Sequence, residues 1–292
     1  MSAVSGILLV DKSQGITSHG VVARTRKVGH AGTLDPMATG LLVLGLNSST
    51  RLLTYLVGLD KEYFATIRLG ASTSTDDAEG EAVTSTDASL VTAEQVEAAI
   101  VPLRGEISQV PSSVSAIKVD GKRAYALVRE GATVELKSRA VTISAFEVLD
   151  VRREGRFTDV DVRVECSSGT YIRALARDLG VTLGVGGHLT ALRRTRIGPF
   201  SVSDAALLDD LDPVTQLRTP TSVAAELFAV LNASAQQVTD LVHGKRIELP
   251  DFAGHEGPIA AVSPEGRLVG LLTMVGSRAK PLVNFPSDEV TG

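Results

Sequence analysis

Twelve consecutive residues, Gly29-His30-Ala31-Gly32-Thr33-Leu34-Asp35-Pro36-Met37-Ala38-Thr39-Gly40, hold three glycines, one proline, one histidine and one carboxylate. Glycine loses more conformational freedom on folding than other residues, so holding such a loop in one shape costs free energy. Pro36 biases Asp35 away from helix, and Gly32 and Gly40 permit tight backbone on either side. The arrangement can present the Asp35 carboxylate into a cleft for chemistry. Asp-Pro is also a common turn pair, so the loop by itself leaves a plain turn open.

Other chemistries lack their residues. There is no G-x-x-x-x-G-K-[ST] phosphate loop, and Gly184-Val185-Gly186-Gly187 lacks the G-x-G-x-x-G spacing. No G-x-S-x-G elbow is present, which argues against a hydrolase triad. The five histidines (19, 30, 188, 243, 255) have no metal-ligand spacing, and the single Cys166 excludes an internal disulfide or a cysteine metal cluster.

The elements that must position Asp35 read as interleaved strands and helices. Gly6 to Val10 is an apolar strand ending in a turn-like cluster. Thr17 or Ser18 can cap a helix through Arg26, with Val21 and Val22 inward. After the loop, Leu41 to Leu46 is a strand, and Ser49 to Leu59 predicts a helix with Leu52, Leu53, Leu56 and Val57 on one face. Tyr63 to Leu69 alternates as a strand, and polar Gly70 to Gly80 reads as a loop. Thr92 and Gln95 have capping-box spacing ahead of a stripe of Val96, Ala99, Ile100 and Leu103. Asp120-Gly121 marks a hairpin that gathers Lys118, Lys122, Arg123 and Tyr125, suited to a phosphate-bearing partner and equally to plain solvation. Val141 to Val151 and Phe157 to Cys166 read as strands about Gly155, the second with a wet face of Asp161, Arg163 and Glu165. Thr170 is read as the cap of a helix with Gly180 as its stop, on which Arg173 and Arg177 share a face; His188 to Ile197 follows as a strand.

A helix after Ser203 and another within Pro220 to Leu231 lead to short strand candidates, Val238–Val242, Ile259–Ser263, Leu268–Met274 and Val283–Phe285, about the size of a small β-barrel. The expectation is an α+β fold: a mixed, largely antiparallel central sheet with flanking helices forming a cleft in 1–231, and a small C-terminal β module in 232–292.

With 292 residues, 43% hydrophobic and 22% charged, the chain has the balance of a globular protein of one or two domains. No apolar run approaches the ~20 residues of a membrane helix, and the start lacks a basic secretory region. A cytoplasmic protein away from membranes is expected. The net charge of −5 argues mildly against a general polyanion binder. It hides a split: seven acids and no Lys or Arg from Ala71 to Ala99, but six arginines against two acids from Arg163 to Phe200. An acidic chain can still carry a basic face.

The 29–40 loop resembles the catalytic motif of the bacterial tRNA pseudouridine-55 synthases. The resemblance continues at Asp11-Lys12 with Gly15-Ile16-Thr17-Ser18, at Lys61-Glu62-Tyr63 with Arg68-Leu69-Gly70, and at Thr75-Asp76-Asp77-Ala78-Glu79-Gly80. It runs on through Pro111 to Lys118 and Cys166-Ser167-Ser168-Gly169-Thr170-Tyr171-Ile172-Arg173, and ends at Gly187-His188-Leu189-Thr190-Ala191-Leu192-Arg193-Arg194. The motifs keep their order over most of the chain, and the 232–292 module is similar in size and place to the family's PUA-like RNA-binding domain.

That resemblance implies isomerisation of the T-loop uridine of tRNA with no cofactor and no metal, by base flipping and attack of a catalytic aspartate, here Asp35. It implies that Tyr63 stacks on the flipped uracil and helps remove the C5 proton; read in isolation, Tyr63 is an ordinary strand core residue. Arg173 matches the arginine paired with the aspartate, where it would favour the ionised carboxylate. Lys12, Tyr171 and Leu192 match pocket positions, and His30 the histidine at the space the base vacates. Lys118, Lys122, Arg123, Arg193 and Arg194 would contact phosphates, giving salt-dependent affinity. The partner implied is the tRNA T stem-loop, bound by a monomer without an obligate protein partner.

The pattern departs from the family at Ser13, where proline is usual, at Gly20, where aspartate is usual, and in the segment 18–27, which is shorter than the pattern leads one to expect. Two rival readings share the scaffold: a non-catalytic tRNA-binding or folding factor, opposed by intact Asp35, Tyr63 and Arg173, and the catalytic subunit of a guide-RNA particle, opposed by the lack of Lys-rich tails. Gly70–Gly80 and the hairpin at Lys118–Tyr125 are the segments expected to close over RNA, by composition.

Overall fold

The computed structural model describes residues 4–22, 28–112, 136–213 and 215–286, and the backbone alone of 118–119 and 122–123. The chain divides into a first unit of Met1–Leu34, Leu41–Val57 and Pro199–Gly292 and a second of Asp35–Gly40 and Gly58–Gly198.

In the second unit five strands lie in the order Gly187–Ile197, Lys61–Leu69, Phe157–Cys166, Arg139–Glu154 and Gly105–Gln109, each antiparallel to the next. Thr39 and Gly40 pair in parallel with Arg193 and Arg194, which makes the sheet mixed. The period-2 alternation explains its two faces. Tyr63, Ala65, Ile67, Leu69, Val160, Val162 and Val164 are buried. Between them the outward side chains pair off, as Arg163 does with Glu62 at 2.9 Å and Glu147 at 2.6 Å. The helix Ala93–Ile100 begins with the expected reciprocal box of Thr92 and Gln95.

In the first unit Gly6–Lys12 pairs in parallel with Ala206–Leu207, and Val28–Ala31 runs antiparallel to the strand Thr39–Leu46, with His30 opposite Leu44. A five-stranded sheet closes the chain, in the order Ala229–Asn232, Ile259–Val262, Leu268–Val275, Arg278–Asn284 and Ile247–Glu248. Leu241, Ile247, Leu249, Ile259, Ala261, Val269, Leu272 and Ala279 form its own core. No helix among the described residues is long and apolar enough to cross a membrane.

Several local expectations are corrected. The helix expected over Ser49 to Leu59 is a 3₁₀ turn, Asn47–Leu52, followed by a short α-helix, Leu53–Val57, and Val57 is exposed. Thr50 Oγ1 donates to the Asn47 carbonyl at 2.7 Å, the kind of local bond that competes with α-helix. The Gly70–Gly80 segment is not all loop, because Ala71–Thr73 pairs with Ala82–Ser85. Part of it is tied to the sheet: Leu189 N–H donates to Asp76 O at 3.0 Å, and Asp77 is buried. The region after Ser203 forms 3₁₀ turns, Val202–Asp204 and Leu208–Asp210, instead of a helix. Val238–Val242 belongs to a helix, Ala235–Val242, because Ser234 and Gln237 make a capping box that the strand reading overlooked.

The helix Ile172–Thr182 is corrected at both ends. Thr170 does not cap it; its hydroxyl donates to the Ser167 carbonyl at 2.9 Å, and Tyr171 is the N-cap residue without a side-chain bond. Gly180 lies inside the helix, and Gly184, at φ +72°, is the left-handed residue after the Leu183 cap. Gly180 is required by contact: a Cβ there would lie 2.1 Å from Gly187 N and 2.2 Å from Gly186 C. The expected helix end through Arg26, the residues 113–117, and Tyr125 lie outside the described residues.

Gly180→Ala therefore forces this helix off the strand that begins at Gly187, and should cost about 1–3 kcal/mol of folding stability. Chemical denaturation measures it; an unchanged midpoint would mean that the helix–strand contact yields freely.

Candidate active site

The chain around Asp35 is fixed before its side chain is considered. Leu34 N–H donates to Ser18 Oγ at 2.8 Å, and Ser18 Oγ donates back to Leu34 O at 3.0 Å. Ala38 N–H donates to Asp35 O at 3.1 Å, closing a turn over Pro36 and Met37. At the loop's end Gly40 has φ +100°, and a Cβ there would lie 2.2 Å from Arg194 O. Only glycine fits both the backbone angle and that approach.

The carboxylate of Asp35, about a third exposed, accepts from Arg173 Nε at 3.0 Å. Arg173 is the second residue of the helix Ile172–Thr182, and its side chain is 5% exposed. Its Nη1 reaches Asp77 Oδ2 at 3.2 Å and donates to Thr75 O at 2.9 Å. Asp77 is held in turn: its Oδ1 accepts from Thr75 Oγ1 at 2.5 Å and from Glu79 N–H at 3.0 Å.

A buried guanidinium without a partner would carry a desolvation penalty of several kcal/mol. Asp77, as deeply buried, cancels that charge, and the multiple bonds fix which nitrogen faces Asp35. Arg173 with its two carboxylates therefore carries a net negative charge, with Asp35 as the accessible carboxylate of the three groups. One helical turn on, Arg177 repeats the arrangement with Asp76 at 3.3 Å.

Tyr63 completes the constellation on the Lys61–Leu69 strand. It is 7% exposed and sits opposite Arg194 on one neighbouring strand and Val164 on the other. Burial pushes its hydroxyl pKa up; Arg194, whose side chain hydrogen-bonds that hydroxyl, pulls it back, and Cys166 and Asp35 act in the same direction as burial. Arg194 is 1% exposed and faces Tyr63 instead of the solvent side where a phosphate would lie. Two positions before Tyr63, buried Lys61 has its pKa lowered to about 8, by burial first and then by Arg194.

The structure thus brings Asp35, Arg173, Tyr63 and Arg194 together. Tyr171 lies two residues before Arg173, its N–H and C=O clamped by the Gln109 side-chain amide at 2.9 and 3.1 Å. Leu192 is 8% exposed opposite Ala65, and Arg193 Nη1 lies 3.5 Å from Thr39 Oγ1. Lys12 and His30 belong to the first unit: Lys12 is fully buried, its Nζ donating to Ser13 O and Ile16 O at 3.0 and 2.7 Å, and His30 is half-buried. Lys118 pairs with Arg123 and Val119 with Lys122 through the backbone; the side chains of that hairpin lie outside the described residues.

Sequence reading gave no role to Asp77 or Gln109. For Asp77 a signal existed: two adjacent acids, Asp76 and Asp77, match two arginines spaced four apart on one helix face, Arg173 and Arg177. Gln109 carries no such signal, because its contacts are to backbone.

Two predictions follow from this geometry. Asp77→Asn leaves the Arg173 charge without its buried partner and should cost about 3 kcal/mol in denaturant unfolding, with a smaller loss for the same change at the more exposed Asp35. For Lys61 the folded pKa lies below the usual 10.5, so the folded chain binds fewer protons between about 8 and 10.5 and stability rises with pH across that window. Lys61→Met should abolish that rise in a pH series of melting temperatures; a persisting rise would assign it to another group.

The comparisons with known proteins agree along the chain. The model of the TruB family pseudouridylate synthase N-terminal domain matches residues 21–172, that of the tRNA pseudouridylate synthase B C-terminal domain 173–233, and that of the tRNA pseudouridine synthase II C-terminal domain 228–286. The tRNA pseudouridine synthase B of Leifsonia xyli is 59% identical, over 98% of each chain. That of an Arthrobacter species is 55% identical, over 99% of each. Among solved structures, a chain of an H/ACA RNP bound to a substrate RNA containing 2'-deoxyuridine is 26% identical with a TM-score of 0.69, covering 97% of this chain and 86% of that one. By the matched family model and by relatives more than half identical over nearly its whole length, this chain belongs to the TruB family of pseudouridylate synthases.

Proposed function

We propose that this chain is a tRNA pseudouridine-55 synthase, isomerising the T-loop uridine of tRNA. The observation that carries the reading is the Asp35 carboxylate, accessible on one side and held on the other by an arginine that a second, buried aspartate keeps in place. The reaction breaks the N1–C1′ glycosidic bond, turns the uracil and joins C5 to C1′. N1 gains a proton and C5 loses one, so neither oxidant nor added group is required.

Each residue has a defined share. Flipping the uridine costs a few kcal/mol, and stacking on the Tyr63 ring returns roughly 1–3 kcal/mol. Asp35 supplies the nucleophilic carboxylate, oriented by Arg173. Tyr63 takes part in removing the C5 proton, its hydroxyl lying where the Asp35 charge acts on it. Tyr171 and Leu192 line the base pocket; Lys12 and His30, in the first unit, take the family's pocket position and the position at the space the base vacates by resemblance alone. Arg193 with Lys118, Lys122 and Arg123 meets phosphates. The 1–231 body is the catalytic domain. The 232–292 module is a PUA-like RNA-binding domain; its exposed Lys245 and Arg278 are ion-paired with Asp240 and Glu248. The enzyme works in the cytoplasm as a monomer without an obligate protein partner.

The assay is release of the C5 hydrogen from a T-stem-loop RNA. The wild-type chain should release it without a guide RNA, and Asp35→Asn should abolish release while RNA binding persists. Tight binding by the wild type without release would support the non-catalytic folding factor, and full release by Asp35→Asn would exclude Asp35 as nucleophile.

A further inference from the structure

Arg194 is the largest fully buried side chain among the described residues, and the resemblance that suggested a phosphate contact for it does not explain its burial. Its surroundings do. Its backbone lies directly against Gly40, the last residue of the catalytic loop, with no room for a Cβ between them. In the sheet register it stands opposite Tyr63, and its side chain hydrogen-bonds the Tyr63 hydroxyl. One residue thus joins the strand carrying Tyr63 to the loop carrying Asp35, through its backbone on one side and its guanidinium on the other.

We propose that Arg194 is a positioning residue for Tyr63: its buried guanidinium, donating to the tyrosine oxygen, fixes where that oxygen sits and stabilises its anionic form, which takes up the C5 proton and becomes a neutral hydroxyl. The proposal deepens the pseudouridine synthase reading and rests on it for the identity of the proton. The groups acting on Tyr63 come from every neighbouring element. They are Arg194 from the strand Gly187–Ile197, Cys166 from the strand Phe157–Cys166 and Asp35 from the catalytic loop. On Tyr63's own strand Lys61 faces Arg194. Arg194 is the group among those acting on Tyr63 that favours the ionised hydroxyl, against burial, Cys166 and Asp35. Without it, less of Tyr63 is in the ionised form that can accept the proton, and its oxygen is held less firmly.

Arg194→Gln and Arg194→Lys separate this role from phosphate binding and from folding. In single-turnover C5-hydrogen release, Arg194→Gln should slow the step about 10²-fold while KM for the stem-loop and its salt dependence stay near wild type. Removing the cation raises the proton affinity of Tyr63, so the rising limb of the pH–rate profile should move to higher pH. Arg194→Lys, which keeps a buried cation and a donor, should recover part of the rate and part of that displacement. A raised KM with a flattened salt dependence and normal turnover at saturation would overturn the proposal in favour of a phosphate contact. Equal losses in both variants with no change in the pH profile would reduce Arg194 to a packing residue.

A second readout needs no RNA. Tyrosinate absorbance, taken as the difference from a Tyr63→Phe chain, should show a higher titration midpoint for Tyr63 in Arg194→Gln, and an unmoved midpoint would overturn the coupling whether or not the chain turns over. Failure of the wild type to release C5 hydrogen would overturn the proposed function and leave that titration to decide the role of Arg194.

Discussion

The site depends on one buried guanidinium shared by two carboxylates. Arg173 is almost wholly out of water, and the cost of desolvating it is tolerable only because Asp77 is buried with it and Thr75 offers a carbonyl. Once that pair is formed, the remaining nitrogen has a fixed direction, and Asp35 meets it. Three separate segments must therefore agree in position: the helix bearing Arg173, the 75–79 turn bearing Asp77 and the loop bearing Asp35. Several glycines serve that agreement. Gly180 and Gly187 let the Arg173 helix touch the neighbouring strand, and Gly186, at φ +76°, turns the chain between them.

The sheet supplies the other half by alternation alone. Because side chains on a strand point to opposite faces in turn, Lys61 and Tyr63 lie on the buried face while Glu62 joins the ion pairs of the wet face. The register that sets Arg194 opposite Tyr63 also sets it opposite Gly40. A shift of one residue in that register would turn Arg194 outward and break both relations at once. Strand pairing is therefore part of the chemistry: it determines which side chains stand beside the carboxylate.

Much of this is legible in the amino-acid order, and the limits have physical reasons. The alternating run at 61–69, the valines at 160, 162 and 164 and the box at Thr92 carry local signals strong enough to name the element, and the 29–40 loop announces a held carboxylate. The C-terminal helix Ala235–Val242 was misread because its few apolar residues fit either period, and only the Ser234–Gln237 box decides between them. Gly180 was misread as a stop because its reason is a contact with Gly187, which local sequence does not display. Asp77 stood inside a polar segment whose composition says loop; its burial is imposed by Arg173, nearly a hundred residues away in the chain.

Charge is the property that composition misrepresents most. Six arginines against two acids between Arg163 and Phe200 suggest a basic face, but ion pairs and burial commit arginines of this stretch within the fold. Arg163 is bound to Glu62, Glu147 and Glu165, Arg173 to Asp35 and Asp77, Arg177 to Asp76 and Asp178, and Arg196 to Asp60, while Arg194 is buried against Tyr63. The acids from Ala71 to Ala99 are in part the other half of the same pairs, so they repel a polyanion less than their number implies. The local excess of arginine thus measures how many carboxylates the interior of the second unit must neutralise and aim. A face for phosphates is to be sought where basic side chains stay exposed; Lys245 and Arg278 do so in the C-terminal sheet module, each beside a carboxylate partner, Asp240 and Glu248.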